Sequence, residues 1–167
     1  IRAVHTCLRE GSSVIKIGTS TGHDGAWGEV PTYSVGEISA ITDEAHLWGV
    51  RVAAHAMGTP GVRNAVLGGV DTVEHAYNID DETLGLIIEK GVFVVPTLRL
   101  THSNPAPFAK DTYRDQIRSL RRAYEAGARI ALGTDTGEER TPHGGGNAIE
   151  FRLMGEVMSP KDALMAG

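Results

Sequence analysis

The stretch GVRVAAHAMGTPGVRNAVLGGVDTVEHA, residues 49–76, decides the fold, because it holds two short β-branched runs that each finish on a histidine. Val50-Arg51-Val52-Ala53-Ala54 is the first run, and His55 follows it directly. Gly58-Thr59-Pro60-Gly61 then opens a helix that Gly68-Gly69 stops. Val70-Asp71-Thr72-Val73-Glu74 is the second strand, and it ends in His75. Strand, helix and strand in so short a span imply a crossover between parallel neighbours. Both imidazoles then emerge at the carboxyl edge of the sheet, where parallel α/β folds place their chemistry. One histidine there reads as a buried, hydrogen-bonded residue as easily as a ligand; two at equivalent positions of successive βα units point to a site.

Outward from this stretch the same rhythm continues. Residues 2–10 read as a helix and 14–17 as a strand with Lys16 inside an apolar run; a long loop, 18–34, follows. Ser34 with Glu37 three residues on has the form of a capping box, opening a helix to Trp48. Asp80 caps a helix to Lys90 and Gly91, and 92–95 is a strand closed by Pro96. A loop over 97–107, a helix from about 110 to 125, a strand over 128–132 and a helix from about Asn147 complete the reading. Five strands alternating with helices specify an α/β fold with a parallel sheet. No Gly-x-Gly-x-x-Gly follows the first strand and no Gly-x-x-x-x-Gly-Lys occurs, which disfavours nucleotide folds and favours a barrel segment. The chain reads as a single domain over 1–167 that is a fragment of something longer, since it opens inside a helix and stops just after a new one begins at Ser159-Pro160.

Composition narrows the partners. With 167 residues and 41% hydrophobic content the chain can bury one core. A net charge of −5 argues against nucleic acid, and the Arg114, Arg118, Arg121 and Arg122 cluster, interleaved with Asp111, Asp115 and Glu125, reads as a solvated helix face. No apolar run approaches the ~20 residues needed to cross a bilayer, so no membrane association is expected. The single Cys7 excludes an internal disulfide and fits a reducing, cytoplasmic compartment. An open five-strand segment leaves sheet edges unpaired, so self-association into a homo-oligomer is expected.

Four of the five strands deliver a polar group to one rim: Lys16, His55, His75 and, through Gly133-Thr134, Asp135. A lysine in an apolar strand is rarely left without a partner or a job. His5, His23, His46 and His102 fall on helices and loops and read as surface residues.

These residues, with Gly58-Thr59-Pro60-Gly61, Val73-Glu74-His75-Ala76, Leu132-Gly133-Thr134-Asp135 and Pro142-His143-Gly144, together resemble the amidohydrolase superfamily, in particular its imidazolonepropionase-related, prolidase-like members. The resemblance runs over the whole chain. It implies a (β/α)₈ TIM barrel of which strands four to eight are present here, without the N-terminal strands and the flanking β-sandwich. It implies a divalent metal cofactor, zinc by preference, with Lys16 N-carboxylated and bridging two ions, His55 and His75 as ligands of one, and Asp135 contacting the other and moving the proton. The implied activity is amide or peptide hydrolysis of a dipeptide or N-acyl amino acid by a metal-activated hydroxide. Lys16 favours the binuclear peptidase-like branch over the imidazolonepropionases, which use one metal. The family's His-x-His pair has no counterpart, since no His-x-His occurs in this sequence.

The chemistry suits those roles. A carbamate on lysine is an anionic oxygen ligand, and neutral imidazoles bind zinc well. Tyr33, in the loop before the second helix, and His143, in the loop 141–146, are candidate substrate contacts, because βα loops build specificity. Two other readings stay open: a Schiff-base aldolase using Lys16, and a non-catalytic half-barrel lacking the first-strand ligands.

Overall fold

The computed structural model describes residues 1–21, 30–137 and 141–167. Five strands, β1 (Val14–Gly18), β2 (Arg51–Ala56), β3 (Thr72–His75), β4 (Phe93–Val95) and β5 (Arg129–Ile130), form one parallel sheet in the order β1-β2-β3-β4-β5. Helices α1 (Arg2–Arg9), α2 (Val35–Leu47), α3 (Thr59–Leu67), α4 (Asp81–Lys90), α5 (Leu98–His102), α6 (Pro107–Glu125), α7 (Gly146–Met154) and α8 (Pro160–Met165) connect and follow them. A parallel strand order that never reverses puts crossover helices of the usual right hand on one face of the sheet, as in a barrel wall.

The two sheet faces differ because side chains alternate along each strand. Val52, Ala54, Ala56, Val73 and Val94 pack against Ile38 of α2, Val62 and Val66 of α3 and Ile87 of α4, which makes the main core. The register pairs Lys16 with Ala53, Ala53 with Thr72, Gly18 with His55 and His55 with Glu74. Lys16, His55, Thr72 and Glu74 therefore share the opposite face.

The helix ends follow the local sequence. Ser34 and Glu37 form the reciprocal capping box, Asp80 accepts from Thr83 N–H, and Gly91 closes α4 at φ 66°. Several boundaries differ from the sequence reading. Residues expected as a loop over 97–107 contain α5, and α6 begins at Pro107. His55 lies inside β2 rather than after it, and β3 begins at Thr72. The fifth strand is only Arg129–Ile130, because Ala131 N–H still reaches Val94 O at 3.0 Å but Leu132 N–H turns away to Ala166 O at the end of α8, at 2.8 Å.

A second core joins α5 to α8 through Leu98, Leu120, Leu153 and Met154. Glu150 of α7 is fully buried beside it, and its two carboxyl oxygens accept from Leu98 N–H at 2.7 Å and Arg99 N–H at 2.8 Å. Burial pushes this carboxyl up to about 7 from its ordinary 4.5, against the two N–H donors and the Arg99 charge, which favour the anion. Below pH 4.5 the folded and unfolded chains both hold the proton; between 4.5 and 7 only the folded chain keeps it, so this group's contribution falls as pH rises. Relative to Glu150→Gln, the unfolding free energy should therefore drop by about 2–3 kcal/mol across that window in urea titrations at constant ionic strength. A difference that stays flat or grows with pH contradicts the assignment.

Candidate active site at the carboxyl rim

His55 and His75 meet at the carboxyl ends of β2 and β3. Nδ1 of His55 lies 2.9 Å from Nε2 of His75, and the rings stand edge to face with centroids 4.6 Å apart. His75 is only 4% exposed, and its other nitrogen, Nδ1, is 2.7 Å from the hydroxyl of Thr97. Strict alternation would send His75 to the helix-covered face with Val73. Its φ of 75° breaks the pleat at that point and lets the ring reach His55.

That break belongs to a pattern. Among the described residues, positive φ outside glycine occurs at His75, Ala76, Asn78, Thr97 and Asp135, all at the end of β3 or in the segments that follow β3, β4 and β5. Each such residue costs on the order of 1–3 kcal/mol, and strain of this kind gathers where function requires a particular geometry.

Below the histidines, Lys16 Nζ donates to Glu74 Oε2 across β2, and Thr72 Oγ1 donates to Glu74 Oε1 at 2.6 Å. The lysine side chain is 52% exposed, whereas the glutamate is 12% exposed, so the pair places a nearly buried carboxylate on the barrel-side face with both oxygens engaged. Glu74 was legible only as a strand residue, although its two-residue offset from Thr72 and its register with His55 put it on the face of Lys16.

Asp135 is exposed at φ 49°, and its backbone carbonyl accepts from Thr141 Oγ1 at 3.3 Å. Tyr77 links it to the histidines: its ring lies 5.9 Å from that of His75, and burial together with the Asp135 charge raises its hydroxyl above the usual tyrosine range. That hydroxyl is buried and makes no hydrogen bond among the described residues. His143 is exposed with Nδ1 3.3 Å from Thr136 Oγ1, and Tyr33 is 39% exposed with its carbonyl accepting from Asn64. Of the other histidines, His5 pairs with Glu44 at 2.6 Å, His46 with Asp71 at 2.9 Å, and the His102 ring lies against Tyr113; His23 lies outside the described residues.

The donor set fits part of a metal centre. Two nitrogens bound to one zinc at about 2.0–2.1 Å lie roughly 2.9–3.4 Å apart for inter-ligand angles of 90–110°. The His55–His75 separation of 2.9 Å falls at the lower end of that span, and Thr97 leaves Nε2 of His75 directed at His55. Among the described residues no group of three or more His, Cys, Asp or Glu is gathered to hold an ion, so the two imidazoles form a partial set to which Lys16 and Asp135 would have to be drawn.

Against known proteins, the model of the family described as Amidohydrolase family matches residues 8–166. Ochratoxinase of Aspergillus niger is 30% identical over 182 residues, covering 99% of this chain and 36% of its own length. The crystal structure of A. niger ochratoxinase superposes with a TM-score of 0.88 over 99% of this chain and 40% of that one. A Xaa-Pro dipeptidase crystallised with methionine in its active site is 30% identical with a TM-score of 0.87, covering 99% of this chain and 44% of that one. A putative prolidase from Bifidobacterium longum is 32% identical with a TM-score of 0.82. The chain thus spans less than half the length of these proteins, and its five strands form part of a barrel.

Gly133 holds the approach to Asp135, because a Cβ there would run into the Val95 side chain. Gly133→Ala should lower stability by about 1–3 kcal/mol in denaturant melts, the usual cost of overpacking. A melt unchanged from wild type would show that the 132–135 segment is not seated against β4.

Proposed function

Because the chain belongs to the amidohydrolase family, we propose that its carboxyl rim takes part in metal-dependent hydrolysis of an amide bond, with a dipeptide or N-acyl amino acid as substrate. The observation that carries this reading is the 2.9 Å convergence of His55 and His75 at the ends of adjacent parallel strands. The Xaa-Pro dipeptidase and putative prolidase among the matched structures favour the dipeptide class. The imine-forming alternative leaves the paired histidines without a role.

His55 and His75 would hold a divalent ion, zinc by preference. Lys16 would add an anionic oxygen if carboxylated at Nζ, a change that dissolves its ion pair with Glu74. A divalent ion so held supplies water activation, lowering a water pKa from 15.7 toward ~7, and polarises the scissile carbonyl. Asp135 takes the proton from the attacking water and passes it to the departing amine nitrogen. Tyr33 and His143, on the rim loops, orient the substrate carbonyl or carboxylate.

In the longest native form of the protein, Asp135→Asn should keep the fold and the ion held by His55 and His75 yet lower kcat on a dipeptide by about 10²–10⁴, the range of a general acid–base group. Near wild-type turnover in that variant would refute the proton role. His75→Asn should lose bound metal without unfolding, since Val73 of β3 and Val70 just before it keep the core beneath; metal retained in full would remove His75 from the site.

A further inference from the structure

We propose that Glu150 is a positioning residue for His75: from α7 it fixes the turn carrying Thr97, and through the Thr97 hydroxyl it sets which nitrogen of His75 faces His55. The inference deepens the proposed site and rests on His75 belonging to it.

The contacts run without a gap. Glu150, 0% exposed, uses one oxygen on Leu98 N–H at 2.7 Å and the other on Arg99 N–H at 2.8 Å. On the other side of the turn, Gln116 of α6, 1% exposed, donates Nε2–H to Pro96 O at 2.9 Å and accepts from Thr101 Oγ1. Residues 96–99 are therefore gripped from two helices, and Thr97 sits between the grips. Its hydroxyl meets Nδ1 of His75 at 2.7 Å, and Nε2 of His75 meets His55 at 2.9 Å.

Backbone strain supplies an independent reason. Thr97 is β-branched and stands at φ 50°, a conformation such residues avoid. It persists only where the surroundings over-determine it. The two N–H groups that Glu150 captures belong to the residues immediately after Thr97, and a carboxylate can accept both, whereas an amide turns a donor toward one of them. With the turn fixed, Thr97 Oγ1 is held against Nδ1 of His75, and when that nitrogen carries the proton, Nε2 turns its lone pair toward His55. The same turn reaches a second rim loop, since both terminal nitrogens of the buried Arg99 guanidinium donate to Pro142 O at 3.3 Å, next to His143.

The test reads the imidazole directly. Long-range ¹H–¹⁵N spectra of the metal-free, histidine-labelled protein at alkaline pH should show His75 as a single Nδ1–H tautomer in the wild type. In Glu150→Gln and in Gln116→Leu its two nitrogen shifts should move toward the averaged values of an unrestrained ring. Leu153→Ala, on the same helix but packed into the second apolar core, should leave them in place. Zinc titration should show Glu150→Gln weaker by about 10–100-fold, the usual effect of losing support behind a histidine ligand, with partial recovery in Glu150→Asp. Unchanged His75 shifts in the two polar variants, an equal change in Leu153→Ala, or failure of both polar variants to fold would each overturn the proposal. If the wild type binds no zinc while its His75 shifts still respond to Glu150→Gln, the metal-site reading fails and Glu150 still positions the His75 ring.

Discussion

The approach of His55 to His75 depends on parallel register. In a parallel sheet with unreversed order, every strand ends at the same rim, and Ala56 stands beside His75 while Gly18 stands beside His55. That constraint brings the two imidazoles near each other but leaves them on opposite faces of the pleat. The left-handed backbone at His75 closes the last gap, and the Thr97 hydroxyl behind it keeps the ring from swinging away. Conformational strain is accepted at the rim, and the two apolar cores beneath it offset the cost.

Charge is distributed by the same logic. Glu74 is a partly buried carboxylate and Glu150 a fully buried one, and both oxygens of each are engaged: Glu74 by Lys16 and Thr72, Glu150 by two backbone N–H groups. Such engagement lowers the cost of charging a carboxyl away from water. The two differ in what surrounds them. Glu74 sits on the barrel-side face next to the half-exposed Lys16, while Glu150 is enclosed by helices, which is why burial dominates its proton affinity. Among the described residues no helix is long and apolar enough to cross a membrane.

Much of the frame was legible in the chain. The β-branched runs, the Ser34–Glu37 box, the Asp80 cap and the Gly91 stop are local signals, and each appears where its chemistry put it. Helix α5 was not legible, because its start is capped by Glu150, a carboxylate 52 residues from Leu98. The short fifth strand had a similar origin, since Leu132 N–H is claimed by Ala166 from α8. At the rim, the residues at strand ends could be picked out from the alternating pattern, but their partners could not. Thr97 and Tyr77 join the site only because left-handed residues turn the chain there, and nothing in a threonine or a histidine announces a positive φ.

Crystals of the longest native form grown with zinc, with anomalous differences collected at the zinc edge, address the central claim most directly. A peak is expected about 2.0–2.1 Å from both Nδ1 of His55 and Nε2 of His75. A well-ordered rim with the two imidazoles still hydrogen-bonded to each other and the anomalous signal elsewhere would contradict it.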